Sequence, residues 1–396
     1  MEQALPFLIE RCLREGDLAQ ALRLARQAVR EAPDATTHTL LGNLLERMGS
    51  YNAALDSYTA ARRIAPNAFV PAFNLGNVLR KLKRLEDAKR TFTEALALAP
   101  DARSRVSALK GLGNVHLILG EFEPGFALWA QARAKAIDRI LIPPWNGEPL
   151  AGRTLYVHER QGFGDIIQFS RFLKPLRGGR IVLEAPKTLH RLLAPAFPGV
   201  DFAPRNDQPQ ADLAISLMEL PGILGVKRFS DLDGLPTLAT EPTSHPAAGR
   251  TVAVAWASSR KSGDGDRRSC PFPEFARLFA VPGISFLSLQ MGEEKAEADF
   301  SRHPNLIDGT AEIRDFADSA RLVAAADLTI TVDTALAHLA GALGKPVWVL
   351  LDDDANWRWH RGETSPWYAS ARLFRQSAPR QWRDVVRRVA AELRRP

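Results

Sequence analysis

Apolar residues recur at helical spacing along the first third of the chain, and three successive runs end on the same dipeptide. Ala32-Pro33, Ala65-Pro66 and Ala99-Pro100 close three successive stretches, with the prolines 33 and 34 residues apart. The second stretch places Leu41-Gly42, Leu45, Ala54, Tyr58 and Ala61. The third places Leu75-Gly76, Leu79, Ala88, Phe92 and Ala95 at the same offsets. Small residues at fixed steps let helices approach, and large ones fill the layer between them. Proline stops a helix because it has no N–H to donate. The pattern predicts a series of antiparallel helix pairs. The first stretch keeps Ala21, Ala25, Ala28 and Pro33 without a Leu-Gly, and a fourth, from Leu112-Gly113 to Trp129 and Ala132, lacks the closing proline.

Beyond residue 138 the pattern changes. Pro143-Pro144, Trp145-Asn146-Gly147 and Pro149 read as a linker or docking segment. Thr154–His158 reads as a strand, then Gln161-Gly162-Phe163-Gly164-Asp165 as a turn, then Ile166–Leu176 as an apolar helix. Strands are expected at 181–184 and 211–215. After a Pro/Thr/Ser/Gly stretch at 241–249 they recur at 251–256, 284–289, 328–332 and 347–351, with helices at 273–279 and 335–343. Such alternation predicts doubly wound parallel sheets. The domains expected are 1–138 (a repeat solenoid), 139–245 and 246–396 (two α/β domains facing a cleft). The last helix can pack back on the middle domain. The fold class is α + α/β.

The period and the small/large pattern of the first third resemble the tetratricopeptide repeat. One such unit cannot bury its apolar face alone, so units stack into a solenoid with a concave face. Asn43, Asn77 and Asn114 follow the three repeat glycines directly. A polar residue repeated on successive helices can line that face and hold a peptide backbone, so these three are candidate acceptor-binding residues.

Composition narrows the picture further. Hydrophobic residues make up 45% and charged residues 24% of the 396, which excludes a mostly disordered chain. The net charge of +7 raises the question of nucleic acid. Residues 1–140 hold 20 basic and 15 acidic residues and the remainder 32 and 30, with no basic block, so a solvated basic surface is expected and no nucleic-acid partner. No apolar run has the roughly 18 residues of a membrane span, and Met1–Glu10 has no basic start of the kind a signal peptide needs. Two cysteines, Cys12 and Cys270, make no disulfide framework or four-thiolate zinc site and suit a reducing compartment; a cytoplasmic protein is expected.

The glycine turn between strand and helix, with Gly162 and Gly164, brings backbone N–H groups to a helix start, where anionic ligands are held. It has only two glycines, so the dinucleotide fingerprint is incomplete. Four segments then occur together: 159–169 (Glu-Arg-Gln-Gly-Phe-Gly-Asp-Ile-Ile-Gln-Phe), 332–348 (beginning Val-Asp-Thr-Ala-Leu-Ala-His), Trp357-Arg358-Trp359 and Ser365-Pro366-Trp367-Tyr368. Together with the repeats they resemble the bacterial tetratricopeptide-repeat glycosyltransferases related to the heptosyltransferase (family 9) GT-B enzymes. A similar layout occurs in O-GlcNAc transferases.

The resemblance implies roles. Asp165 is the candidate general base that deprotonates an acceptor hydroxyl, beside the plain alternative of a helix cap. Asp333, Thr334 and His338 match the donor-site helix, where the N–H groups of Thr334, Ala335 and Leu336 can meet a diphosphate. Arg268, and second to it Lys261, match a basic residue placed at the phosphates, and Gln290 a position near the nucleotide base or ribose. The run Asp352-Asp353-Asp354 departs from the family's proline-rich turn and would repel a diphosphate unless it faces away or binds a cation.

The expectation is an inverting, metal-independent GT-B glycosyltransferase. Its donor substrate is a nucleotide-diphosphate sugar, it needs no cofactor, and its acceptor is a protein presented by the repeats. The alternatives are a non-catalytic scaffold with a degenerate sugar-nucleotide unit, or transfer to a lipid or oligosaccharide.

Overall fold

A computed structural model describes residues 4–134, 140–159, 161–205, 207, 209–245, 249–259 and 265–395. The chain divides into two compact units, Met1–Arg139 and Ile140–Pro396.

The first unit is four helix pairs: α1 (Ala4–Glu15) with α2 (Leu18–Glu31), α3 (Ala35–Arg47) with α4 (Tyr51–Ile64), α5 (Phe69–Lys81) with α6 (Leu85–Ala97), and α7 (Ala102–Leu119) with α8 (Phe122–Ala134). Each second helix of the first three pairs stops before its Ala-Pro, as the missing proline N–H requires. Aspartates cap several starts: Asp17, Asp34 and Asp101 accept from the N–H groups of Gln20, Thr37 and Ser104 at 2.9, 2.8 and 2.7 Å. The repeat glycines are close-approach positions. A Cβ at Gly42, Gly76 or Gly113 would lie 2.5, 2.9 or 2.6 Å from the rings of Tyr58, Phe92 or Trp129. Tyr58, Phe92 and the helix-facing alanines 54, 61, 88 and 95 are fully buried.

The second unit holds two parallel sheets. The first contains β1 (Thr154–His158), β2 (Arg180–Glu184), β3 (Val200–Ala203) and β4 (Leu213–Ser216) in the order β3-β2-β1-β4, with α9 (Phe163–Phe169), α10 (Lys187–Leu193) and α11 (Leu220–Ile223) between or after the strands. The second sheet has six strands. They are β5 (Arg250–Ala255), β6 (Ile284–Ser288), β7 (Leu306–Asp308), β8 (Leu328–Val332), β9 (Val347–Leu351) and β10 (Ala371–Arg375), in the order β10-β9-β8-β5-β6-β7. Its helices are α12 (Gly265–Arg268), α13 (Phe272–Phe275), α14 (Phe316–Ala325), α15 (Ala335–Ala342) and α16 (Trp382–Leu393). In each sheet the chain order reverses beside the first strand, so β1 with β4, and β5 with β8, open a crevice at their carboxyl ends.

Two expectations need correction. The helix read at 166–176 starts earlier and breaks: α9 ends at Phe169 and a 3-10 turn, Ser170–Leu173, follows. Pro175 has no N–H to carry the helical ladder on, and Ser170 Oγ donates to Ile167 O at 2.9 Å, competing with that ladder. The last helix does not return to the four-stranded sheet. Trp382, Val385, Val386, Val389 and Leu393 of α16 join the core of the six-stranded sheet with Val252, Phe275 and Phe374. That one apolar stripe fits the adjoining sheet face, so nothing apolar remains to reach further.

Candidate functional site

The site is built from two helix starts. α9 begins after β1 and α15 begins after β8, and the two helices touch. Gly164 is the point of contact: a Cβ there would lie 2.5 Å from His338 Cδ2. Only a glycine lets the turn carrying Asp165 press against the imidazole.

Asp165 has two partners. One carboxylate oxygen accepts the Gly162 N–H at 3.1 Å, closing the helix start. The other lies 2.6 Å from Nη2 of Arg358. That arginine comes from the 3-10 turn Trp357–Trp359 after β9, so it reaches the first sheet's helix from the second sheet's loop. Arg358 is itself held: Nη1 donates to Asn356 Oδ1 at 2.8 Å, and the guanidinium lies 4.9 Å from the Trp357 ring centre and 5.7 Å from that of Phe169. A nearly buried ion pair like this one is costly to break by removing a single partner.

His338 is buried within α15. Its ring stacks on Trp359 with centres 4.9 Å apart, and its Nδ1 lies 3.0 Å from Tyr368 Oη. Its Nε2 is 4.0 Å from Asp333 Oδ1. Burial pushes its pKa down to about 3; Asp165 opposes that shift, and Arg358, Arg268 and Arg171 reinforce it. His338 is therefore a neutral imidazole near pH 7. Arg268 ends α12 with Nη1 3.7 Å from Asp333 Oδ2. Asp165, Asp333, His338, Arg268 and Arg358 thus form one cluster of alternating charge around the meeting of α9 and α15.

Several expected ligand contacts are used by the fold itself. Thr334 caps α15, and its Oγ1 accepts the Leu336 N–H at 3.2 Å, so that amide does not face a diphosphate. Gly162 N–H likewise serves Asp165. Gln290 is placed differently from the expectation. Its Oε1 accepts from the N–H groups of Trp256 and Ala257 at 3.0 and 2.9 Å, and its Nε2 donates to the carbonyls of Ala257 and Met291 at 3.2 and 2.9 Å. Three of these bonds pin the loop after β5 and the fourth goes to the loop after β6, so no hydrogen-bonding position of the amide is left for a nucleotide. Lys261 lies outside the described residues.

Two carboxylates of the aspartate run are paired with Arg267, the neighbour of Arg268. Arg267 Nη1 lies 2.9 Å from Asp352 Oδ2 and 3.3 Å from Asp354 Oδ2, and it also donates to Asp354 O at 2.9 Å. Burial raises Asp352 to about 7 against the pull of Arg267, with Asp354, Asp353 and Asp333 adding to the rise. Among the described residues, no group of three or more His, Cys, Asp or Glu is arranged to hold a metal ion.

Two of the repeat asparagines, Asn43 and Asn114, have partners within the repeats. Asn43 Oδ1 accepts from Tyr58 Oη at 2.8 Å and from Asn74 Nδ2 at 2.9 Å, and Asn114 Oδ1 accepts from Trp129 Nε1 at 3.2 Å. The partner stands fifteen residues on in both cases. At the same offset from Asn77 the sequence has Phe92, whose side chain has no polar atom to offer. Anchored through its oxygen, the amide of Asn43 or Asn114 has its N–H₂ for any ligand.

Arg358, Tyr368 and Trp359 are site residues to which sequence reasoning assigned no role. The signal was present, since Trp357-Arg358-Trp359 and Ser365-Pro366-Trp367-Tyr368 were among the motifs, but only the folded path after β9 brings them to Asp165 and His338.

Known families and proteins resemble parts or most of the chain. A tetratricopeptide-repeat family model matches residues 45–112, and the model of glycosyltransferase family 9 (heptosyltransferase) matches residues 313–385, which include Asp333, His338, Arg358 and Tyr368. The protein FlbA of Caulobacter vibrioides is 26% identical over 96% of this chain and 70% of its own length. The mouse Superkiller complex protein 3 is 30% identical over 32% of this chain and 8% of its own length. Among solved structures, a crystal structure of MamA is 16% identical, covering 34% of this chain and 78% of its own, at a TM-score of 0.32. MamA from Desulfovibrio magneticus RS-1 is 27% identical, covering 35% and 74%, at 0.29. The first unit thus contains a stretch that matches tetratricopeptide repeats, and the second a stretch that matches glycosyltransferase family 9 (heptosyltransferase).

Proposed function

We propose that the second unit is an inverting GT-B glycosyltransferase that moves a sugar from a nucleotide-diphosphate donor to an acceptor hydroxyl, and that the acceptor is a protein segment presented by the repeats. The observation that carries this reading is the meeting of α9 and α15. It puts a carboxylate, Asp165, from one sheet beside a donor-type helix start, Asp333 to His338, from the other.

In the reaction, the acceptor oxygen attacks the anomeric carbon while Asp165 takes its proton. The bond from that carbon to the phosphate oxygen breaks, and its electron pair leaves with the nucleotide. Arg268, the Nε2 side of His338 and the start of α15 meet the charge that develops on that oxygen. Arg358 holds Asp165 in one orientation, and a carboxylate oxygen that accepts one hydrogen bond keeps a second lone pair for the acceptor. Positive charge from Arg268 makes a metal ion unnecessary in this scheme, and no cofactor enters it. We place the protein in the cytoplasm, in keeping with its two free cysteines. The repeats would hold a peptide backbone through the amide nitrogens of Asn43, Asn77 and Asn114.

A second reading, nucleotide-sugar binding without turnover, is favoured by one observation: both oxygens of Asp165 already have partners. The test is to incubate the full chain with a panel of nucleotide sugars and candidate acceptor proteins, following nucleotide release and acceptor mass. Release that depends on acceptor and is lost in Asp165→Asn and Arg268→Ala supports transfer. Release unaffected by either substitution overturns the assigned roles, and binding without turnover selects the second reading.

A further inference from the structure

Tyr368 is fully buried, and Gly341 of α15 lets it press close: a Cβ on Gly341 would lie 2.4 Å from Tyr368 Cγ. The imidazole of His338 is fixed from three sides, by the Trp359 stack, by Gly164 at Cδ2, and by Tyr368 Oη at Nδ1. Its remaining nitrogen, Nε2, is turned toward Asp333, whose other oxygen faces Arg268.

A neutral imidazole has one N–H, and the surroundings decide which nitrogen carries it. With the proton on Nδ1, the bare lone pair of Nε2 would face the Asp333 carboxylate, and the Tyr368 proton would have to find another acceptor. The Arg171 guanidinium, 5.3 Å from the Tyr368 ring centre, offers none. With the proton on Nε2, the tyrosine O–H donates to Nδ1 and the Nε2–H points to the carboxylate side, so both contacts are favourable. The charged groups around the ring are Asp165, Asp333, Arg358, Arg268 and Arg171, and burial dominates their sum in keeping the ring neutral.

We propose that Tyr368 is a positioning residue: its O–H, donated to His338 Nδ1, locks the imidazole in the Nε2–H tautomer, so that a neutral histidine presents a hydrogen-bond donor beside Asp333 to a phosphate oxygen of the donor substrate. The phosphate as recipient rests on the reading under Proposed function; the tautomer does not. At 4.0 Å the Nε2–H makes no direct hydrogen bond to Asp333, so an arriving oxygen does not have to displace one.

The full chain labelled with ¹⁵N-histidine tests this. Long-range ¹H–¹⁵N spectra between pH 6 and 8 report the tautomer of each ring, and the resonances absent from His338→Gln identify the residue. The expected result is Nε2 protonated and Nδ1 bare, changing to a tautomer mixture in Tyr368→Phe. A protonated Nδ1 in the unsubstituted protein, or an unchanged tautomer in a folded Tyr368→Phe, overturns the proposal. A second measurement stands if Tyr368→Phe does not fold. The glutamine amide nitrogen reaches the Nε2 place and the asparagine nitrogen the Nδ1 place. Inorganic pyrophosphate should therefore bind His338→Gln nearly as well as the unsubstituted chain, and His338→Asn about tenfold or more weakly. Equal loss in both overturns the donor role. If the tautomer is as proposed but no sugar is transferred to any acceptor, it is the glycosyltransferase reading that fails.

Discussion

Single residues in the site titrate against each other. His338 is held neutral down to about pH 3, far below the ordinary 6.5, so the unfolded chain binds its proton first and His338 costs stability as pH falls from about 6.5 to 3. Asp352 is raised from 3.8 to about 7, so the folded state keeps its proton longer and stability falls as pH rises through that window. The two slopes oppose each other between about pH 4 and 6.5, each bounded by about 1.4 kcal/mol per pH unit. Relative to the unsubstituted chain, His338→Gln should tilt urea-derived stability downward with rising pH, and Asp352→Asn should tilt it upward. Identical pH profiles for all three proteins would contradict both assignments. Gly164→Ala belongs to the same scale. The added methyl has no room against His338, and overpacking of this kind costs about 1–3 kcal/mol. A lower melting temperature and reduced turnover are expected together, since α9 must back away from α15.

The elements that were legible in the sequence share one property. β1, β8 and β9 are buried along nearly their whole length, and each is rich in apolar and β-branched residues, as strands covered on both faces are. β3, β7 and β10 went unread: β3 and β7 are short outer strands that mix exposed and buried positions, and in the outer strand β10 Arg372 and Arg375 interrupt the apolar run. The helix pairs of the repeats were readable from spacing, but the use of their asparagines was not. Side-chain direction decides that, and it ties Asn43 to Tyr58 and Asn114 to Trp129 inside each unit. Tyr58→Phe removes the hydroxyl that also lies 2.7 Å from Glu46 Oε2, and about 1 kcal/mol of stability should go with it in chemical denaturation. In the site, Asp165 and His338 were visible through local motifs. Arg358 and Tyr368 were not assigned, because their place depends on how the loop after β9 folds back across two sheets. The same unit has a second link between its sheets. Arg191 of α10 pairs with Asp315, the cap of α14, through two bonds of 2.8 and 2.7 Å, and with Asp318. Being exposed, that link should weaken with salt, so any effect of Arg191→Ala on turnover should shrink as ionic strength rises.

At the scale of the molecule, the division into Met1–Arg139 and Ile140–Pro396 gives each unit its own core. A chain lacking residues 1–138 should therefore still unfold cooperatively by circular dichroism. On the proposed function it should lose transfer to a protein acceptor while still binding the donor; retained transfer would point to a glycan or lipid acceptor. The excess of basic residues in the first 140 positions then concerns the choice of partner and favours an acidic protein surface. The central claim is that Asp165 and the start of α15 form one transfer site. Its most direct test is the intact mass of an acceptor protein after incubation with a nucleotide sugar and the full chain, beside Asp165→Asn. The expected result is a gain of one sugar residue, matched by released nucleotide and absent with Asp165→Asn. The same gain with Asp165→Asn, or donor binding with no gain across the panel, would contradict it.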